Sequence, residues 1–149
     1  MKVFIFVVLL MMPPAAFAAL GGTVGSINSD SQVLRAKSMR TVAHARFTVH
    51  EISYGATKVR EYVNANGIVF AIAWNGLSHP DLSTLLGTYS DSYNKAIRSL
   101  PSRRKGSRFS RIKTADHLVV ERGGHMRNVR GRAYDMTLFP AGVSLSDIQ

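Results

Sequence analysis

Apolar positions change their period along this chain, and each change predicts an element. Residues 46–53 (RFTVHEIS) and 58–64 (KVREYVN) are strand-like and flank the turn YGAT. Asn66-Gly67 then reads as a two-residue hairpin turn, whose central positions need positive φ. Residues 68–74 (IVFAIAW) are apolar at successive positions, as a central strand covered on both faces should be. Together these predict a three-stranded antiparallel meander. With Gly55-Ala56 as the first turn, Ile52 faces Val59, His50 faces Glu61 and Glu51 faces Arg60. With Asn66-Gly67 as the second, Val63 faces Phe70, Glu61 faces Ile72 and Val59 faces Trp74. One face then carries Ile52, Val59, Val63, Ile68, Phe70, Ile72 and Trp74, with His50 and Glu61 in its middle. The other carries the Glu51–Arg60 pair and Tyr62.

The period lengthens after Trp74. Leu82, Leu85, Leu86, Tyr89, Tyr93, Ile97 and Leu100 recur at steps of three and four, the stripe of an amphipathic helix. Ser78 or His79 is placed to cap it, Pro80 suits its first turn, and Asp81 favours the positive end of its dipole. Gly87 interrupts the run and Pro101 stops it. Residues 101–113 (PSRRKGSRFSRIK) read as a basic loop. Two strands follow around Gly123-Gly124, taken as a second two-residue hairpin, before an irregular tail. The fold predicted is α+β: an antiparallel sheet of about five strands, made of the three-stranded meander and a closing β-hairpin, with one amphipathic helix across one face. The segment before residue 46 is the expected cover of the other face, which would account for apolar Val69, Ala71 and Ala73.

The first residues follow a different rule. Lys2, an unbroken apolar run over 3–12 and the Ala16-Phe17-Ala18 site form a secretory signal peptide over 1–18, with cleavage expected after Ala18. The apolar run is too short to span a bilayer, and Pro13-Pro14 would break it. Residues 19–45 are rich in Gly, Ser and Asn and read as a flexible N-terminal arm. The single α+β domain is expected over 46–144, with 145–149 as a tail. The chain is thus expected to be exported to the periplasm or beyond, with no transmembrane span in the mature protein. It contains no cysteine, which excludes disulfides, thiolate metal sites and cysteine nucleophiles. Its formal charge is +10. Between Tyr93 and Arg132 stand twelve Lys or Arg against Asp116 and Glu121, a field that attracts polyanions.

Several blocks carry a family resemblance: AALGG at 18–22, REYVNANGIVFAIAWNG at 60–76, PDLSTLLGTY at 80–89, LVVERGGHMRNVRGRA at 118–133 and LFPAGVS at 138–144. They resemble a family of small exported bacterial proteins labelled only as a domain of unknown function. The resemblance implies export with Ala19 as the mature start, and implies no catalytic or binding residue. The stretch 90–113, with its basic charge, lies outside the matching blocks.

The chemistry-bearing residues are few. His44, His50, His79, His117 and His125 have no metal-ligand spacing, so no metal and no cofactor is expected. No nucleophile elbow, dinucleotide fingerprint or phosphate-binding loop occurs. His50 and Glu61, paired on an apolar face, are the weak candidates for acid–base catalysis. Arg103, Arg104, Lys105, Arg108, Arg111 and Lys113, with Arg130 and Arg132 on one polar stripe of the closing hairpin, are the candidate anion-binding set. Gly123-Gly124 serves the turn, with Arg122 facing His125, and needs no phosphate to explain it. The function expected is a non-enzymatic exported binding or envelope-accessory domain. One alternative is a basic-surface binder of anionic lipid, lipopolysaccharide or polysaccharide; another is an enzyme of unrecognised type using His50 and Glu61. Anionic envelope components are the expected partners, and export argues against physiological nucleic acid.

Overall fold

The computed structural model describes residues 20–26, 37–101 and 109–149. The expected signal peptide, and Arg103, Arg104, Lys105 and Arg108 of the basic loop, lie outside the described residues.

The class is α+β with one antiparallel sheet, but the sheet has seven strands rather than about five. They are β1 (Ser38–Ala43), β2 (Phe47–Tyr54), β3 (Thr57–Asn64), β4 (Val69–Gly76), β5 (Phe109–Lys113), β6 (Leu118–His125) and β7 (Asn128–Asp135). Their spatial order is β1-β2-β3-β4-β7-β6-β5. The two additional strands are the edges, and both escape a hydrophobic-pattern reading for the same reason. β1 buries no residue and β5 buries Ile112 alone. Their pairing completes the backbone hydrogen bonds of β2 and β6 rather than filling the core. β1 also shows that the segment before residue 46 is in part sheet.

The meander register holds through its first turn and most of its second. Ile52 pairs with Val59, His50 with Glu61, Glu51 with Arg60, Val59 with Trp74 and Glu61 with Ile72. It departs at the second turn, where Val63 pairs with Val69 and the ladder shifts between Tyr62 and Val63. Gly67 has φ +75° but Asn66 does not have positive φ. A two-residue turn of the expected kind needs both, so the loop takes a third residue, and the bulge turns Phe70 to the opposite face from Ile72.

The closing hairpin departs further from the expected register. Its loop is Met126-Arg127, with His125 paired to Asn128, and Gly123-Gly124 lie within β6. The register that forms sets Val119 against Tyr134 and Val120 against Ala133, joining apolar residues on both faces. A turn at the glycines would have set Val119 against Asn128. Arg127 supplies the positive φ at 60°. Gly123 serves a different need: a Cβ there would lie 2.2 Å from the Phe109 ring.

The helical stripe folds as α1 (Leu82–Leu86), a 3-10 turn (Gly87–Tyr89) and α2 (Ser90–Arg98). Gly87, at φ 49°, takes the break. The cap is Asp81, whose carboxylate accepts from the Ser83 amide at 2.9 Å, rather than Ser78 or His79. Leu85, Leu86 and Tyr93 pack on Ile52, Val59, Ile72, Trp74, Leu118 and Val120, and Leu20 joins this helix-side core. Among the described residues, the other face is covered from the C-terminal side rather than by the segment before residue 46. Phe139, Val143, Leu145 and Ile148 pack over Tyr62, Phe70, Ala71 and Tyr134. Phe70 meets Phe139 edge-on at 4.9 Å between ring centres.

Candidate functional site

On the tail-covered face, side chains of successive strands line up in rows across the sheet. The row through Tyr62, Ala71 and Tyr134 is apolar and lies beneath the tail. The next row reads Arg40, Glu51, Arg60, Ala73, Arg132, Glu121 and Arg111, one residue from each of the seven strands. Charges alternate along it, with uncharged Ala73 at the centre between two arginines. Directly opposite charges on adjacent strands attract, and much of this row is closely paired. Arg60 Nε lies 2.9 Å from Glu51 Oε2, Arg132 Nε lies 2.6 Å from Glu121 Oε2, and Arg111 Nε lies 3.0 Å from Glu121 Oε1. Glu121 thus clamps arginines from both neighbouring strands. Burial raises the Glu51 carboxyl, but the hydrogen bond and charge of Arg60, with Lys58 behind, outweigh it and hold the group low.

The tail ties into the same row. Arg132 Nη1 donates to the carbonyls of Leu145 at 2.8 Å and Ile148 at 3.3 Å, and Arg60 Nη1 donates to that of Gln149 at 3.0 Å. Tyr62 Oη donates to the Gln149 carbonyl at 2.9 Å and accepts from its amide at 3.0 Å. Three guanidinium groups of the row are therefore fixed in orientation, two of them by both a carboxylate and a main-chain carbonyl.

The third row is Lys58, Asn75, Arg130, Gly123 and Phe109. Between it and the charged row opens a trough of about 860 Å³. Its lining includes the small residues Ala73 and Gly123, the exposed Arg130 and Phe109, the Arg111–Glu121 pair, and Ile148 and Gln149 of the tail. Asn75 Oδ1 accepts from Arg60 Nη1 at 3.0 Å. Arg130 is exposed, and among the described residues its side chain has no hydrogen bond or ion pair. Phe109 is 60% exposed, its ring over Gly123.

Residues 16–148 match a family model described as "Protein of unknown function (DUF2844)". The chain belongs to that family. No curated protein and no solved structure matches it. The matched span of the DUF2844 family holds all seven strands and the tail as far as Ile148, and so every residue lining the trough except Gln149.

Of the candidate anion-binding residues, the fold brings Arg111, Arg130 and Arg132 to the trough, whereas Lys113 is one row further along β5, opposite Val119. Arg130 and Arg132 do share one face of β7. Sequence reading placed Arg60 on this face with Glu51 but not beside Arg132. Only the pairing of β4 with β7 creates that neighbourhood, and no local signal foretells it.

His50 and Glu61 lie directly opposite one another on the helix side, away from the trough. Glu61 is fully buried, while His50 is half-buried and its Nδ1 is 3.0 Å from the Thr41 hydroxyl. Burial lowers the His50 pKa. His79 is held by Trp74, whose indole Nε1 donates to Nδ1 at 2.9 Å. That bond needs an unprotonated Nδ1, and burial with the charge of Arg122 lowers the ring's pKa. His44 stacks on Phe47. Among the described residues no group of three or more His, Asp or Glu is placed to hold a metal ion, and no helix is long and apolar enough to cross a membrane.

Proposed function

We propose that this chain is an exported, non-enzymatic binding domain of the bacterial envelope, and that its ligand-bearing surface is the arginine trough. The observation that carries the reading is Arg130. It is an exposed guanidinium without a partner among the described residues, beside three arginines already oriented by carboxylates and carbonyls. A preorganised cationic surface with one uncommitted donor fork suits a ligand bearing negative charge. The charge excess between Tyr93 and Arg132 adds long-range attraction, and Arg108 of the basic loop immediately precedes Phe109 in sequence. Export rests on the leader-like residues 1–18. Anionic lipid, lipopolysaccharide and acidic polysaccharide all share the required charge.

Co-sedimentation of the mature chain with purified bacterial envelopes, at low and high salt, tests the reading. Binding should fall as salt rises and should fall again in Arg130→Ala. Salt-insensitive binding that Arg130→Ala leaves unaltered would refute it. The facing pair of His50 and Glu61 supports the second reading, an acid–base enzyme. That reading predicts a pH-dependent hydrolytic or isomerising activity lost in both His50→Ala and Glu61→Gln, and it fails if every activity detected survives both changes.

A further inference from the structure

The composition of the trough discriminates among anions. We infer that it takes a carboxylated oligosaccharide, one built from uronic acid units, rather than a phosphate-rich polymer or a membrane surface. This rests on the reading of the trough as the ligand site.

Glu51 and Glu121 are integral to the charged row, each held by an arginine at 3.0 Å or less. A dense polyanion laid across the row would meet both. A carboxylate is also a hydrogen-bond acceptor. A ligand with many hydroxyls and sparse charge can donate to Glu121 while its own acid group reaches Arg130. Arg130 offers a single planar fork, which matches one planar carboxylate in bidentate geometry. Asn75, opposite Arg130 in register, adds an amide whose oxygen is used by Arg60 and whose nitrogen is a donor.

Phe109 is a large apolar ring left 60% exposed at the trough's side, directly across from Gly123. Glycine there is what lets the ring lie over the strand, since a Cβ would be 2.2 Å from it. An aromatic surface beside hydrogen-bonding groups suits a sugar ring, which has one apolar face and an equatorial rim of hydroxyls. A bare polyphosphate has no apolar face to offer it.

About 860 Å³ of concave space falls within the roughly 300–1,000 Å³ typical of small-molecule sites. Ile148 and Gln149 of the tail contribute to its lining. A lipid plane would touch the rim of such a trough and leave its floor empty.

Isothermal titration of the mature chain distinguishes these ligands. The probes are oligogalacturonate, a neutral galactan oligosaccharide of equal length, and inorganic polyphosphate of equal charge. Vesicles containing an anionic lipid form a fourth arm, read by sedimentation. Oligogalacturonate should bind most tightly. Phe109→Ala and Arg130→Ala should each weaken it about tenfold, the order expected for one aromatic contact or one charged hydrogen bond. Circular dichroism and the melting temperature of each variant, measured alongside, separate a loss of binding from a loss of fold. Arg130→Lys should restore only part of the loss. Binding of polyphosphate or vesicles at least as tight as that of oligogalacturonate, lowered by Arg130→Ala and indifferent to Phe109→Ala, overturns the saccharide assignment and leaves the anion-binding trough standing. If none of the four probes binds, or Arg130→Ala changes nothing, the assignment and the trough reading fall together.

Discussion

Gly131→Ala probes the join between the two halves of the sheet. Gly131 sits on β7 directly opposite Trp74 of β4, on the helix side. A Cβ at 131 would stand 2.3 Å from Trp74 Cζ2, 2.6 Å from Cε2 and 2.7 Å from the Glu121 carbonyl oxygen. Neither neighbour can give way cheaply. The carbonyl is part of the β6 main chain, and the indole is 2% exposed and bonded to His79 at 2.9 Å. Relief requires the indole to tilt or the strands to part. Overpacking of this kind costs about 1–3 kcal/mol, and the lost Trp74–His79 bond about 1 kcal/mol more. With a urea dependence of about 2 kcal/mol per molar, the unfolding midpoint should fall by about 1–2 M. Trp74 is the only tryptophan in the chain, so its fluorescence reports both the midpoint and the disturbed site. The contrary expectation is equally definite. At an unhindered strand position, replacing Gly by Ala stabilises by about 0.4–1 kcal/mol through the unfolded chain. A midpoint that stays or rises, with unshifted emission, would show that the indole does not rest on Gly131.

Acid should weaken the fold in two stages. His50 and His79 have folded pKa values below the ordinary 6.5. The unfolded chain therefore binds their protons first; their contribution is complete above about 6.5 and is lost as pH falls through the lower folded values. Asp135, held low by hydrogen bonds from Thr137 and Tyr89 that outweigh its burial, contributes above its ordinary 3.8 and fails below it. Chemical denaturation across pH 3–8 should show both stages, and His79→Gln should flatten the upper one; an unchanged upper slope in that variant would remove His79 from the account. Tyr89→Phe deletes the 2.7 Å bond to the Asp135 carboxylate and should cost about 1.5–3 kcal/mol in thermal unfolding. Ile148, 2% exposed beneath the arginine row, anchors the tail; Ile148→Ala should lose about 2–5 kcal/mol, and a loss below 0.5 kcal/mol (roughly a surface substitution) would mean that the tail does not seal that face.

Hydrophobic periodicity together with local turn chemistry determined the inner parts of this protein. The strands that became β2, β3 and β4, the helical stripe with its break at Gly87, and the pairing of His50 with Glu61 and Glu51 with Arg60 were legible because local turn chemistry and burial agree there. The family membership was legible in its sequence blocks. Tertiary structure decided the rest. The edge strands bury too little to leave an apolar signature, so their existence depends on partners waiting for hydrogen bonds. Gly123-Gly124 carries a strong local turn signal, yet the matching of Val119 to Tyr134 and Val120 to Ala133 moved the turn to Met126-Arg127, since burial over a whole hairpin outweighs the preference of two residues. The candidate site shows the same division. Its arginines were visible as charge, but Arg60 and Arg132 are 72 residues apart by number. They become neighbours across Ala73 because β4 pairs with β7, a long-range choice that no local pattern encodes.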